Sequence, residues 1–223
     1  MMTRPTQIAV AFFLLRLCQA PAAVFYVDLN STNPTPPYAT WSTASTNIQP
    51  AVELANSGDT VLVTDGVYNT GGTLTSDGSS NQVVVSTAVT LQSVHGSSVT
   101  SINGGGTARC VYLTDGALLK GFTLTNGFSA ESGGGAFCSS TNARLANCLL
   151  LNNVANTYGG GNGGGVCNGT LDHCTLAGNS AESGGAATAS TLNACTLSGN
   201  YASDAGGAAS SGTLNRVFSE LSG

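Results

Sequence analysis

Charge is what this chain has least of. Only 8% of its 223 residues are charged, six Lys or Arg against eleven Asp or Glu, and lysine occurs once, as Lys120. Nucleic acid needs several cations at its phosphates, and an anionic membrane surface needs a basic patch, so neither partner is expected. Long apolar runs are missing too. Ile8 to Leu15 falls far short of the roughly 20 residues of a membrane span, and Arg16 interrupts it. A transmembrane span in the mature chain is therefore not expected. What the chain has in excess is glycine, 30 residues. Each costs about 1 kcal/mol in a helix interior, which excludes a helical bundle and makes a repetitive architecture the first suspicion.

The N-terminus reads as an export signal. Arg4 gives a positive start, Ile8 to Leu15 an apolar stretch, and Ala20-Pro21-Ala22 a small-x-small cleavage site. Residues 1–22 are expected to be a signal peptide and the mature chain to begin near Ala23. Loss of Arg4 and Arg16 leaves four basic residues against eleven acidic ones.

Residues 23–80 are expected to form an N-terminal cap and first coil. Val24 to Leu29 reads as a strand. Ile48 to Asn56 carries apolar residues at Ile48, Ala51, Val52, Leu54 and Ala55, the pattern of a short amphipathic helix with Pro50 in its first turn. Thr60 to Val63 is a strand closed by Asp65-Gly66. A helix before the first strand is what a solenoid needs as a lid over its terminal rung.

From about residue 110 the chain repeats. Leu119-Lys120-Gly121-Phe122-Thr123-Leu124 is echoed from Leu145, Leu171 and Leu192, at offsets of 26, 26 and 21 residues, and a weaker copy starts at Leu214. Leu, then Phe or Cys three residues on, then Leu two further on, puts apolar side chains inward on two short strands separated by a bend. Stacked about 4.8 Å apart, Leu119, Leu145, Leu171, Leu192 and Leu214 should form one internal ladder, and Phe122, Cys148, Cys174, Cys195 and Val217 a second. Asn153, Asn179 and Asn200 align at a corner, where left-handed backbone and an amide ladder are expected. Gly133 to Gly135, Gly163 to Gly165, Gly184-Gly185 and Gly206-Gly207 mark corners without room for a Cβ. The last segment loses its turn, so residues 81–223 are expected to be coils truncated at the C-terminus.

Several of these segments resemble a known group. Phe25-Tyr26-Val27-Asp28, Gly58-Asp59-Thr60-Val61-Leu62-Val63, Asn103-Gly104-Gly105-Gly106 and the Asn-x-Cys-x-Leu repeats look like bacterial right-handed parallel β-helix proteins of the pectate-lyase-like superfold. They are similar in particular to exported polymorphic outer-membrane-protein and anchor-bearing β-helix repeats. The resemblance implies an all-β, right-handed parallel β-helix solenoid with a short N-terminal capping helix, secreted or held at a bacterial cell surface.

The candidate chemistry is sparse. Glu131, Glu182 and Asp204 recur just before glycine runs, and Glu182 with Asp204 on adjacent coils would invite Ca²⁺ or an acid/base pair, although Asn156 interrupts the row. Lys120, His173 and Arg216 lie on separated coils, about 10 to 20 Å apart, and His173 reads as an exposed strand residue. His95 sits in a turn with no partner readable in sequence, so no catalytic residue is assigned. Cys148, Cys174 and Cys195 read as a buried thiol ladder rather than disulfides or zinc ligands, because stacked side chains stand too far apart and no Cys-x-x-Cys pair exists. Thr123, Thr175 and Thr196 face outward, but Leu149 breaks that row as an ice-binding face. The expected function is an exported, non-enzymatic structural or adhesive domain whose partner is a polysaccharide or cell-surface glycan. The alternative is a polysaccharide lyase or glycoside hydrolase of the same superfold.

Overall fold

The Leu-x-x-Phe/Cys-x-Leu spacing is realised as stacked turns of backbone. The computed structural model describes residues 21–220. The signal-peptide expectation therefore falls almost wholly outside the described residues. Among these residues, strands of successive coils pair in parallel to give a β-solenoid of about six turns with one short α-helix. A 13-stranded, a 7-stranded and a 4-stranded sheet form its sides, here called the first, second and third sheets.

The predicted leucine ladder is observed in register: Leu119 pairs with Leu145, Leu145 with Leu171, Leu171 with Leu192, and Leu192 with Leu214, but Leu214, expected to be internal, is 54% exposed. It also reaches further back than the legible repeat, through Leu91 and Val61 to Phe25. Residues 23–80 thus contribute two successive rungs, Val24–Val27 and Thr60–Val63, to the same stack. The strand forecast to run to Leu29 ends at Val27. On the second sheet Tyr68, Ile102, Leu124, Leu150, Leu176 and Leu197 stack in the same way. All six are almost fully buried, each contributing roughly 1.5–3 kcal/mol by its removal from water.

The bends between sheets are backbone devices. Between the first and second sheets the left-handed residue is Gly121, Asn147, His173, Ala194 or Arg216 on successive coils, with φ between 51° and 75°. His173 therefore lies in a corner, not in the strand expected for it. The residue after each corner, Phe122, Cys148, Cys174 or Cys195, points inward and is buried. Each thiol of the three cysteines reaches backbone carbonyl oxygens, Cys148 Sγ donating to Ala146 O at 3.3 Å and Cys195 Sγ to Asn193 O at 3.4 Å.

Between the second and third sheets a second correction applies. The left-handed residues there are Asn126, Asn152, Gly178 and Gly199, the last three each one position before an asparagine expected to adopt that conformation. Asn153, Asn179 and Asn200 instead use their side chains. Asn153 N and Nδ2 both donate to Asn179 Oδ1 at 3.0 Å, and Asn179 N and Nδ2 donate to Asn200 Oδ1 at 3.0 and 2.9 Å. Each Nδ2 also satisfies a carbonyl of the preceding strand, Leu124 O and Leu150 O at 3.0 and 2.9 Å. The amide ladder exists because buried backbone groups at a corner have no strand partner and must be paired.

The helix α1 (Ile48–Leu54) begins where expected, with Asn47 Oδ1 accepting the Gln49 N–H at 3.1 Å. It ends two residues sooner than the apolar pattern suggested. Its buried face, Ile48, Ala51 and Val52, covers the core. Gln49 also completes the edge of strand Ser80–Val85: its Oε1 accepts Val84 N–H at 2.8 Å and its Nε2 donates to Val84 O at 3.2 Å. One side-chain amide thus stands in for a missing strand.

Candidate functional site

An arginine sits in the core. In strand Arg109–Leu113, Arg109 shares its parity with the inward Val111 and Leu113, and it is fully buried. Burying a guanidinium without partners is costly, and here all three of its nitrogens are engaged. Arg109 Nε donates to Gly133 O at 2.9 Å and Nη1 to Asn81 Oδ1 at 2.9 Å. Nη2 donates to Ser132 O at 2.8 Å, to Asp77 Oδ2 at 3.1 Å and to the Ser79 and Ser129 hydroxyls at 3.2 Å each. The guanidinium carbon lies 5.1 Å from the centre of the Phe137 ring. One side chain therefore ties together the hairpin Thr73–Leu74/Ser80–Val85, its own coil and the corner at Ser129–Gly133.

The reason for an arginine at this place is a missing strand. The third sheet starts only at Phe128–Ser129, and the preceding coil passes from Thr100–Asn103 to Arg109 through a tight glycine turn. Gly104 is confined there: a Cβ would lie 2.2 Å from Ala108 O. The cut corner leaves a hollow that the long side chain and its hydrogen bonds fill from below. Above it remains a cavity of about 390 Å³, bordered by Asp77, Ser80, Thr107, Phe128 and Glu131.

The electrostatics of this cleft follow from the same network. Partial burial works against the Asp77 charge, but the Thr75 hydroxyl, the Ser79 N–H and the Arg109 guanidinium outweigh it and hold the carboxyl down at about 2. Burial in turn draws the Arg109 guanidinium below its ordinary value, with Asp77 opposing that shift. The pair is a neutral floor, and Glu131, exposed at the rim, gives the mouth a negative charge.

Of the residues singled out from sequence, Glu182 and Asp204 lie on paired strands, both between the pairs Ala181 with Ala202 and Ser183 with Ala205, and the others are dispersed. Of the three acidic candidates, only Glu131 borders the cleft. Glu182 lies in Ser180–Ser183, where its Oε2 accepts the Gly160 N–H at 2.7 Å and pins the loop after Asn156. Asp204 is exposed on Tyr201–Ala205, beside an irregularity in the pairing of those two strands. Among the described residues no group of three or more His, Cys, Asp or Glu is arranged to hold a metal ion. The reading of His95 as unpartnered is corrected: its Nδ1 lies 2.7 Å from Asp65 Oδ1, one coil away and with both side chains more than half exposed. Arg144 Nη2 donates to Asp172 Oδ2 at 2.6 Å, and Asn193 Nδ2 to Asp172 Oδ1 at 2.8 Å, across neighbouring coils. Lys120 is aligned with Ala146 and, one coil further, Asp172.

No protein-family profile, curated protein or solved structure matches the chain. The class of protein is thus defined by the stacking itself, a parallel β-solenoid.

Proposed function

We propose that this chain is a structural or adhesive domain, exported and displayed outside the cell, that presents a rigid solenoid surface to glycans and performs no chemistry. The observation that carries this reading is where the charged side chains are committed. Arg109, the residue best suited to reactive work by its burial, spends its donors on three coils of framework. Arg144 and Asp172 likewise join neighbouring coils. Ladders that bond each coil to the next suit a protein whose task is to hold a shape.

A second reading is favoured by one feature: Asp77 and Glu131 border the same cavity, as the two carboxylates of a glycoside hydrolase do. Incubation of the purified chain with a panel of acidic and neutral polysaccharides separates the two. Binding in a pull-down without new reducing ends or unsaturated products supports the adhesive domain. Turnover lost in Glu131→Gln would make the chain an enzyme and overturn the first reading.

A further inference from the structure

We propose that the cavity at the start of the third sheet is a binding site for a neutral saccharide, with Phe128 as its stacking platform. The inference rests on the adhesive reading and locates it at one place on the solenoid. Three independent features converge there. The first is shape: at about 390 Å³ the cavity lies within the range of small-molecule sites, and its origin, a coil that lacks a third-sheet strand, leaves it open to solvent along one edge.

The second is the kind of polar group offered. Among the described residues the hydroxyls of Ser80 and Thr107 make no hydrogen bond to the protein, whereas those of Ser79 and Ser129 are already bound to Arg109. Glu131 supplies carboxylate oxygens and no donor. Among the described residues the edge of strand Phe128–Ser129 nearer the preceding coil carries no neighbouring strand, but its Phe128 N–H already donates to Ala108 O at 2.9 Å, so that edge offers no free N–H. Free hydroxyls and a carboxylate suit a polyol, which both donates and accepts. A two-residue edge is too short to pair with an added peptide strand.

The third is sign and surface. Arg109 is fully buried and its charge is balanced by Asp77, and among the described residues no Lys, Arg or His lines the cavity to meet a phosphate or a uronate. The Glu131 carboxylate repels such groups. Phe128, 36% exposed at the rim, gives an aromatic face for the apolar side of a sugar ring. Register places Val154, Ser180 and Tyr201 in the same outward column on the next three coils, so Tyr201, 60% exposed, stands about 14 Å along the axis from Phe128. A chain of sugars leaving the cavity would run along the solenoid toward that second ring.

The test is titration of the full chain with neutral oligosaccharides, uronate oligosaccharides and spermidine, followed by calorimetry and by amide chemical shifts. Expected are binding of at least one neutral oligosaccharide, shifts centred on Thr107 and Phe128 to Glu131, and at least tenfold weaker binding in Phe128→Ala and in Glu131→Ala, with uronates tenfold weaker or silent. Thermal melts of both variants check that folding is retained; Thr107→Val is the third variant should one of them fail to fold. Neutral-sugar binding that survives these variants would overturn the site and leave the adhesive domain standing. Preference for uronates or for spermidine alone, or no binding at all, would overturn the ligand class. Turnover abolished by the cleft variants would keep the site and sink the non-enzymatic reading.

Discussion

Replacing Arg109 by methionine should destabilise the chain severely while leaving its volume nearly unchanged. Three buried acceptors, Asn81 Oδ1, Gly133 O and Ser132 O, would lose their donor, and Asp77 its counter-charge. An unsatisfied buried acceptor costs about 1–3 kcal/mol, and removing one partner of a buried pair costs about 3–5 kcal/mol. Apolar burial of the methionine offsets part of this, so a net loss of about 4 kcal/mol is expected, a large share of a typical stability of about 5–15 kcal/mol. At a urea slope of about 2 kcal/mol/M this moves the midpoint down by about 2 M. Arg109→Lys should recover little, because an ammonium has three donors and no fork to span Asn81, Gly133 and Ser132. Urea melts followed by far-ultraviolet circular dichroism read the effect. A midpoint within 0.5 M of the wild type (about 1 kcal/mol at that slope) would refute the claim that Arg109 locks the three coils.

The Asp77 carboxyl lies below its unfolded value, so its contribution is complete above about pH 4 and fades as pH falls through about 2; because the group is a third exposed, it is worth about 1 kcal/mol, and the stability gap between wild type and Asp77→Asn should close between pH 5 and pH 2 in denaturant melts. Asn179→Ala should cost about 3 kcal/mol in the same assay, since it strands both the Asn153 N–H and Leu150 O, whereas Asp65→Asn beside the exposed His95 should change stability by less than about 0.5 kcal/mol. Gly164→Ala should cost about 3 kcal/mol, its Cβ falling 2.3 Å from Ser180 O, while Gly160→Ala, in open space at φ +83°, should cost only about 1 kcal/mol. The six cysteines of the described residues are buried and free, with the Cys110 thiol pushed up by burial to about 12, so a thiol reagent should label them only after unfolding; reaction in the native state would contradict the inward ladder.

The leucine ladder was legible because its cause is local: alternation within each strand sets the face, and the period of 21 to 26 residues sets the coil. The same reading stopped near residue 110, since Val61 and Phe25 fill the ladder without the Asn and Gly punctuation that marks the later coils. The spacing of Asn153, Asn179 and Asn200 locates the corner but not its left-handed residue, which lies one position earlier. In Asn152-Asn153, Gly178-Asn179 and Gly199-Asn200 the first member takes the left-handed conformation and the second supplies the amide, a division of labour that residue type alone does not reveal. The cleft was not legible because Asp77, Thr107 and Phe128 are brought together by a strand that is absent, 20 to 30 residues apart in the chain. One signal was present, the arginine at inward parity in Arg109-Cys110-Val111-Tyr112-Leu113. Glu131 was found by its place before a glycine run, not by its neighbours. The His95 and Asp65 pair spans two coils at an expanded corner, beyond the reach of any local pattern.

The most direct test of the stacking on which every other statement depends is the distance between spin labels at Thr60 and Thr191, whose column runs through Thr90, Leu118, Arg144 and Thr170 on the outer face of the first sheet. Five rungs separate the two positions, which predicts a narrow distribution near 24 Å, at about 4.8 Å per rung, and near 19 Å for the pair Thr90 and Thr191. A broad distribution, or two distances that fail to differ by one rung, would contradict the register from Val24 to Asn215 and with it the account given above.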